Sequence, residues 1–132
     1  MAKKHEFKTL TRAEMQIMNI LWDNGKGMTT HEIIAHCPEP QPAYSTIATF
    51  MKILTNKKFV GSHKRDGGGK AYVYYPLVTR AEYTRKAMTE VKDSFFGGSI
   101  HALISFFVKE EDISDSELEE ILSLIDKRDH CL

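Results

Sequence analysis

Apolar residues recur at helical spacing in three stretches before residue 57 and three after residue 79, with a short β-prone region between them. Ala13, Ile17, Ile20 and Leu21 predict a first helix over residues 12–23, ended by Asn24-Gly25, with Gly27 keeping the connection loose. A second helix is expected over residues 30–36. Pro38, Pro40 and Pro42 make the next segment an extended connection, because each ring removes a backbone N–H and disfavours helix in the residue before it. A third helix therefore begins at Tyr44 or Ser45. Ile47, Phe50, Met51 and Leu54 form its apolar stripe, which leaves Ser45, Thr46, Thr49, Lys52 and Asn56 pointing elsewhere.

Two strands are expected over residues 59–65 and 70–76, the second carrying Tyr72-Val73-Tyr74-Tyr75. Asp66-Gly67-Gly68-Gly69 between them permits whatever positive φ the turn requires. Beyond residue 79 the patterns are helical throughout. Tyr83, Ala87, Met88, Val91 and Phe95 precede Gly97-Gly98; Ile100, Leu103, Ile104, Phe107 and Val108 follow; Leu118, Ile121, Leu122 and Ile125 make the last face. Helix starts are marked by four hydroxyl-x-x-Glu pairs, Thr11/Glu14, Thr29/Glu32, Thr79/Glu82 and Ser114/Glu117. In each, the hydroxyl accepts a free backbone N–H and the glutamate reaches back to another. Leu10 and Met15 stand at the positions of a hydrophobic staple around the first of them.

The order helix, helix, helix, strand, strand, with short hydroxyls on the third helix and a basic, glycine-tipped hairpin, is the outline of a winged helix-turn-helix that reads DNA. Hydroxyls suit base edges and phosphate oxygens, threonine methyls can pack on thymine methyls, and Lys52 can neutralise backbone charge. The plain alternative is an ordinary amphipathic helix packed beside an ordinary hairpin.

Charge sharpens that picture. The net charge of the 132 residues is zero, yet residues 1–78 hold 11 Lys+Arg against 6 Asp+Glu, and residues 79–132 hold 7 against 12. A basic front half suits a polyanion, and the acidic back half would be repelled by the same phosphates. Below about 70 residues a lone core is marginal, so the back half is expected to complete its core against a second copy of itself. Two cysteines are too few for a disulfide framework, and no secretory segment or long apolar span occurs. The expected location is the cytoplasm, with reduced thiols and no membrane insertion.

Other chemistries fit less well. Gly67-Gly68-Gly69-Lys70 lacks the earlier glycine of a phosphate loop, has Ala71 in place of its hydroxyl residue and leads into a strand. His36-Cys37, His130-Cys131, His31 and His63 include no Cys-x-x-Cys or His-x-x-x-His pair, so no metal and no cofactor are expected. No nucleophile elbow, metalloprotease helix or paired-carboxylate motif points to an enzyme, and Glu110-Glu111-Asp112 reads as a solvated loop. Lys57-Lys58 suits either phosphate contact or the negative end of the helix dipole.

At this point the chain resembles the penicillinase repressors of the BlaI/MecI/CopY type. The matching elements are Leu10-Thr11-x-Ala13-Glu14 with Ile17-Met18-x-x-Leu21-Trp22, and Tyr44-Ser45-Thr46-Ile47-x-Thr49. They continue through Lys57-Lys58, Ala71-Tyr72-Val73-Tyr74-x-Pro76, and Phe96-Gly97-Gly98-Ser99 with Leu103, Phe107 and Val108. The resemblance implies a homodimeric repressor on a dyad-symmetric double-stranded DNA operator, with Thr46 and Thr49 facing bases, Ser45 and Lys52 beside the backbone, and Thr11 and Tyr44 also among the DNA-binding residues. Lys64, Arg65 and Lys70 of the wing would hold phosphates. In the antibiotic-responsive members a membrane sensor-peptidase system leads to cleavage between Asn and Phe in the second C-terminal helix. The corresponding pair here is Phe106-Phe107, without the asparagine. The copper-responsive members carry paired Cys-x-Cys motifs, whereas this chain ends Asp129-His130-Cys131-Leu132.

The expected fold is thus mostly α with a small β-hairpin wing, a winged helix-turn-helix domain over residues 1–78 followed by a three-helix dimerisation domain over residues 79–132. Tyr83, Val91, Phe95, Leu103, Phe107, Leu118, Ile121, Leu122 and Ile125 are the expected dimer residues. The rival reading is a protein-interaction adaptor that uses the winged fold without touching DNA.

Overall fold

The computed structural model describes residues 8–65, 71–110 and 113–130, with side chains of the last helix described as far as Leu124. Its elements run α1 (Arg12–Asn24), α2 (Thr30–Ala35), α3 (Tyr44–Asn56), β1 (Val60–Lys64), β2 (Tyr72–Pro76), α4 (Arg80–Phe96), α5 (Ile100–Glu110) and α6 (Asp115–His130). All four hydroxyl-glutamate boxes form as the sequence predicts. Glu14, Glu32, Glu82 and Glu117 each accept the N–H of the residue three before them, at 2.8–3.2 Å, while that residue's hydroxyl accepts the glutamate's own N–H. Gly25, at φ 74°, closes α1 by donating its N–H to the Leu21 carbonyl.

Two compact units, Met1–Ala87 and Met88–Leu132, make up the chain. In the first, α1, α2 and α3 surround a core of Ile17, Met18, Leu21, Ile33, Ile47, Met51 and Leu54, closed by Met28, Phe59 and Val60. The hairpin is antiparallel, with Val60 opposite Pro76 and Lys64 opposite Tyr72. Phe59 falls just outside β1: Lys58 takes a positive φ of 69° at the end of α3, and the Phe59 N–H donates back to the Leu54 carbonyl at 2.9 Å. The wing tip, Asp66-Gly67-Gly68-Gly69 and Lys70, lies outside the described residues.

Three expectations change. Gly27 does not loosen the α1–α2 connection. Met28 exchanges both backbone hydrogen bonds with Tyr74, at 2.9 and 2.8 Å, adding a one-residue third strand to the hairpin. A Cβ on Gly27 would clash with Val73 Cγ1 and approach the Tyr74 carbonyl oxygen to 3.3 Å, so close backbone approach is what requires glycine here. Next, the start of α4 belongs with the first unit. Trp22 Nε1–H donates to the Val78 carbonyl at 2.9 Å, Arg80 lies over the Trp22 ring and pairs with Asp23 at 2.7 Å, and Tyr83 is only 7 % exposed. The Leu10 N–H donates to the Tyr83 hydroxyl across 73 positions of sequence. Residues 79–87, which the charge and helix patterns group with the back half, pack with the front. Lastly, Glu110 closes α5 rather than lying in a loop, and Glu111 and Asp112 are outside the described residues.

In the second unit α4 ends at Gly97 and Gly98, both at positive φ, with the Gly98 N–H donating to the Lys92 carbonyl at 3.0 Å. Ser99 then caps α5 by accepting the Ala102 N–H at 3.0 Å. Among the described residues no helix is long and apolar enough to cross a membrane.

Candidate nucleic-acid interface

The outer face of α3 is polar because its inner face is committed to the core. Ile47, Met51 and Leu54 are buried, whereas Ser45, Thr49, Lys52 and Asn56, which recur at helical spacing along one stripe, are exposed together with Thr46 on its flank. The Thr49 hydroxyl donates to the Ser45 carbonyl at 2.9 Å, which fixes its rotamer and leaves its oxygen lone pairs and methyl free to face a groove. Tyr44 opens the helix and is 52 % exposed.

Two consecutive residues of α2 touch both reading elements. The His31 ring lies 4.8 Å from the Tyr44 ring, centroid to centroid, at the start of α3. Beside it, Glu32 Oε2 lies 3.4 Å from Arg65 Nη2 at the root of the wing. The start of α3 and the root of the wing are therefore neighbours on one side of the first unit. Lys64 and Arg65 are exposed there, and Lys70 lies outside the described residues. The hydrogen bond from the Thr29 N–H holds the Glu32 carboxyl below its ordinary pKa, against burial and with help from the Thr29 hydroxyl, Arg65 and His36.

Other expected site residues serve different ends. Thr11 is exposed, but its hydroxyl and N–H are engaged in the α1 cap. Lys57, which the sequence left divided between phosphate and helix dipole, donates to Glu14 Oε1 at 2.8 Å and to the Thr9 carbonyl at 3.3 Å. Glu14 is 3 % exposed, so Lys57 neutralises a nearly buried carboxylate. The neighbouring Lys58 is exposed.

Of the expected dimer residues, Tyr83 is corrected by its burial in the first unit, where its ring meets Phe59 and Trp22. Leu103 is buried. Val91, Leu118 and Ile121 are partly covered, whereas Phe95 (77 % exposed), Phe107 and Leu122 are open, along with Ile100, Ile104 and Leu124. Ile125 lies where side chains are not described. Phe106 and Phe107 are both exposed on α5, their rings edge to face at 5.6 Å. Among the described residues, no three His, Cys, Asp or Glu side chains gather as a metal site.

From the sequence, His31 is legible only as a possible metal ligand and Glu32 only as a cap. The hydroxyl-glutamate spacing announced Glu32 but carried no trace of Arg65, 33 positions away.

The penicillinase repressor family model matches residues 10–127 of this chain. The methicillin resistance regulatory protein MecI of Staphylococcus aureus strain N315 is 30 % identical over 121 residues, covering 90 % of this chain and 94 % of that protein. The penicillinase repressor of S. aureus is 23 % identical over 117 residues, covering 88 % of this chain and 90 % of that protein. Among solved structures, a MepR mutant from a multidrug-resistant S. aureus clinical isolate aligns with a TM-score of 0.47 at 16 % identity, over 90 % of this chain and 76 % of that one.

Proposed function

Because the chain belongs to the penicillinase repressor family, and so is a winged-helix transcriptional repressor rather than an enzyme, we propose that it acts as a homodimer on a dyad-symmetric operator. The α3 helix of each copy enters the major groove of one half-site. Thr46 and Thr49 read base edges; Tyr44, Ser45, Lys52 and Thr11 lie along the backbone; Lys64, Arg65 and Lys70 hold phosphates. The observation that carries this reading is the pairing of Tyr44 with His31 and of Arg65 with Glu32, which sets the exposed helix face and the basic wing side by side.

The partner copy docks on the second unit through Phe95, Phe107, Leu122 and the open residues around them. A 45-residue unit that leaves so many large apolar side chains in water is short of the core it needs alone. Joining two half-site contacts raises affinity beyond either one without a new contact. Anything that separates the copies would therefore release the operator, including cleavage at the exposed Phe106-Phe107 under a membrane sensor-peptidase system. The site of action is the cytoplasm, with the DNA.

The test is to incubate the purified full chain with fragmented DNA of its own genome, recover the bound pieces and sequence them. A recurrent dyad with half-sites about one helical turn apart is expected. No enrichment at low salt overturns the reading in favour of the adaptor.

A further inference from the structure

Three successive residues in the first turn of α2 each touch a different part of the reading surface. Thr30 is buried, and its side chain shares a hydrogen bond with that of Tyr74 on β2. Glu32 pairs with Arg65 at the root of the wing. His31, exposed between them, sets its ring against Tyr44 at 4.8 Å between centroids and 44° between planes, within the range of favourable aromatic pairs. The turn that carries all three is itself fixed by the Thr29/Glu32 box and by the fully buried Ile33.

Tyr44 needs such a neighbour. Long helical side chains lie back over the turn N-terminal to them, and that turn restricts their rotamers. Tyr44 is the first residue of α3, directly after an Ala43 cap that makes no side-chain hydrogen bond, so α3 provides no such turn. About half of Tyr44 is open to solvent. The His31 ring is a surface on α2 that takes the place of the missing turn.

We propose that His31 is a positioning residue for DNA binding, its ring confining the Tyr44 ring to the orientation in which the phenol meets the DNA backbone. The inference rests on the repressor reading above, in which Tyr44 touches DNA. The ring pair is kept in the complex, so no contact is given up on the operator. What His31 supplies is the ordering of Tyr44 in advance, which DNA binding otherwise has to supply.

The experiment titrates the dyad recovered from the genome with full-length wild type, His31→Ala, His31→Phe, Tyr44→Ala and the double variant His31→Ala/Tyr44→Ala, across a salt series. Both positions are exposed; alanine favours the helix, and phenylalanine keeps a ring at position 31. His31→Ala is expected to weaken binding about two- to five-fold per half-site, so about four- to twenty-five-fold over both. Its slope of log affinity against log salt should match the wild type, because no charged phosphate contact is lost. His31→Phe should bind within about two-fold of the wild type. Tyr44→Ala should lose at least as much as His31→Ala, and combining the two should cost nothing further.

A loss from His31→Ala that persists in the Tyr44→Ala background, or a shallower salt slope, would overturn the proposal by making His31 a DNA contact in its own right. So would a His31→Phe protein as weak as His31→Ala, or a His31→Ala protein as tight as the wild type, with the repressor reading left standing. If the wild type shows no salt-sensitive binding to the genomic fragments, the repressor reading falls and this one with it.

Discussion

Lys57 Nζ lies 2.8 Å from Glu14 Oε1, tying the end of α3 to the first turn of α1 across 43 positions of sequence. The same carboxylate oxygen accepts the Thr11 N–H, so one side chain caps a helix and clamps a second helix to it. Glu14→Ala removes both partners at once and leaves a half-covered ammonium. It should cost about 2 kcal/mol in urea unfolding. Lys57→Ala should cost less, about 1 kcal/mol, and leave the salt dependence of DNA binding unchanged. A shallower salt slope in Lys57→Ala would show that this lysine contacts phosphate instead.

Acid should loosen the first unit. Burial pushes the Glu14 carboxyl up, but the Lys57 ammonium and the Thr11 N–H pull it further down, to below its ordinary value of 4.5. Glu32 and Glu82 are lowered chiefly by the N–H groups of Thr29 and Thr79. A carboxylate with a depressed folded pKa contributes stability that is complete above its unfolded pKa and is lost as pH falls through the folded value. The unfolding free energy should therefore decline below about pH 4.5, and less steeply in Glu14→Gln. Parallel pH profiles for wild type and variant would remove Glu14 from the account.

Two glycines should fail for different reasons. Gly27→Ala drives a methyl into Val73 beside the Met28–Tyr74 bridge and should cost about 1–3 kcal/mol through overpacking at the wing root. Gly25→Ala meets nothing within 4 Å, so its cost of about 1 kcal/mol comes from the φ of 74° alone. Gly25→Asn, which tolerates that φ, should recover much of it, whereas Gly27→Asn should be worse than Gly27→Ala. Thermal unfolding of the four variants checks the contrast.

Base-reading and phosphate-holding residues should separate in binding. Thr46→Ala or Thr49→Ala should cost about 1–3 kcal/mol on the selected dyad and little on random duplex, relaxing sequence preference. Lys64→Ala should weaken both about equally and reduce the salt slope by about 1. Titrations of both duplexes that showed the same loss for all three variants would sink the assigned roles.

The boundary of the reading head can be checked by truncation. A chain ending at Ala87 keeps Arg80 on Trp22 and Tyr83 against Phe59, so it should fold and bind DNA weakly. One ending at Val78 loses those contacts, and the exposed rings beneath them should make it less stable by about 3 kcal/mol. Equal denaturation midpoints for the two fragments would contradict the packing of α4 on α1.

What the sequence determined by itself was whatever acts over three or four residues. The four capping boxes, the apolar stripe of α3, the proline-bounded start at Tyr44 and the two β-prone runs each rest on neighbours in the chain, and each formed close to its expected bounds. Glu14 and Glu32 were visible as caps for that reason, and their second partners were hidden for the same reason. Only the packed fold decided that Lys57 would meet Glu14, that Arg65 would meet Glu32, that Gly27 would lie under Val73, and that Tyr83 would leave the back half for the front core. Those contacts join residues dozens of positions apart, where periodicity and capping carry no information and the mutual packing of helices fixes which side chains can touch.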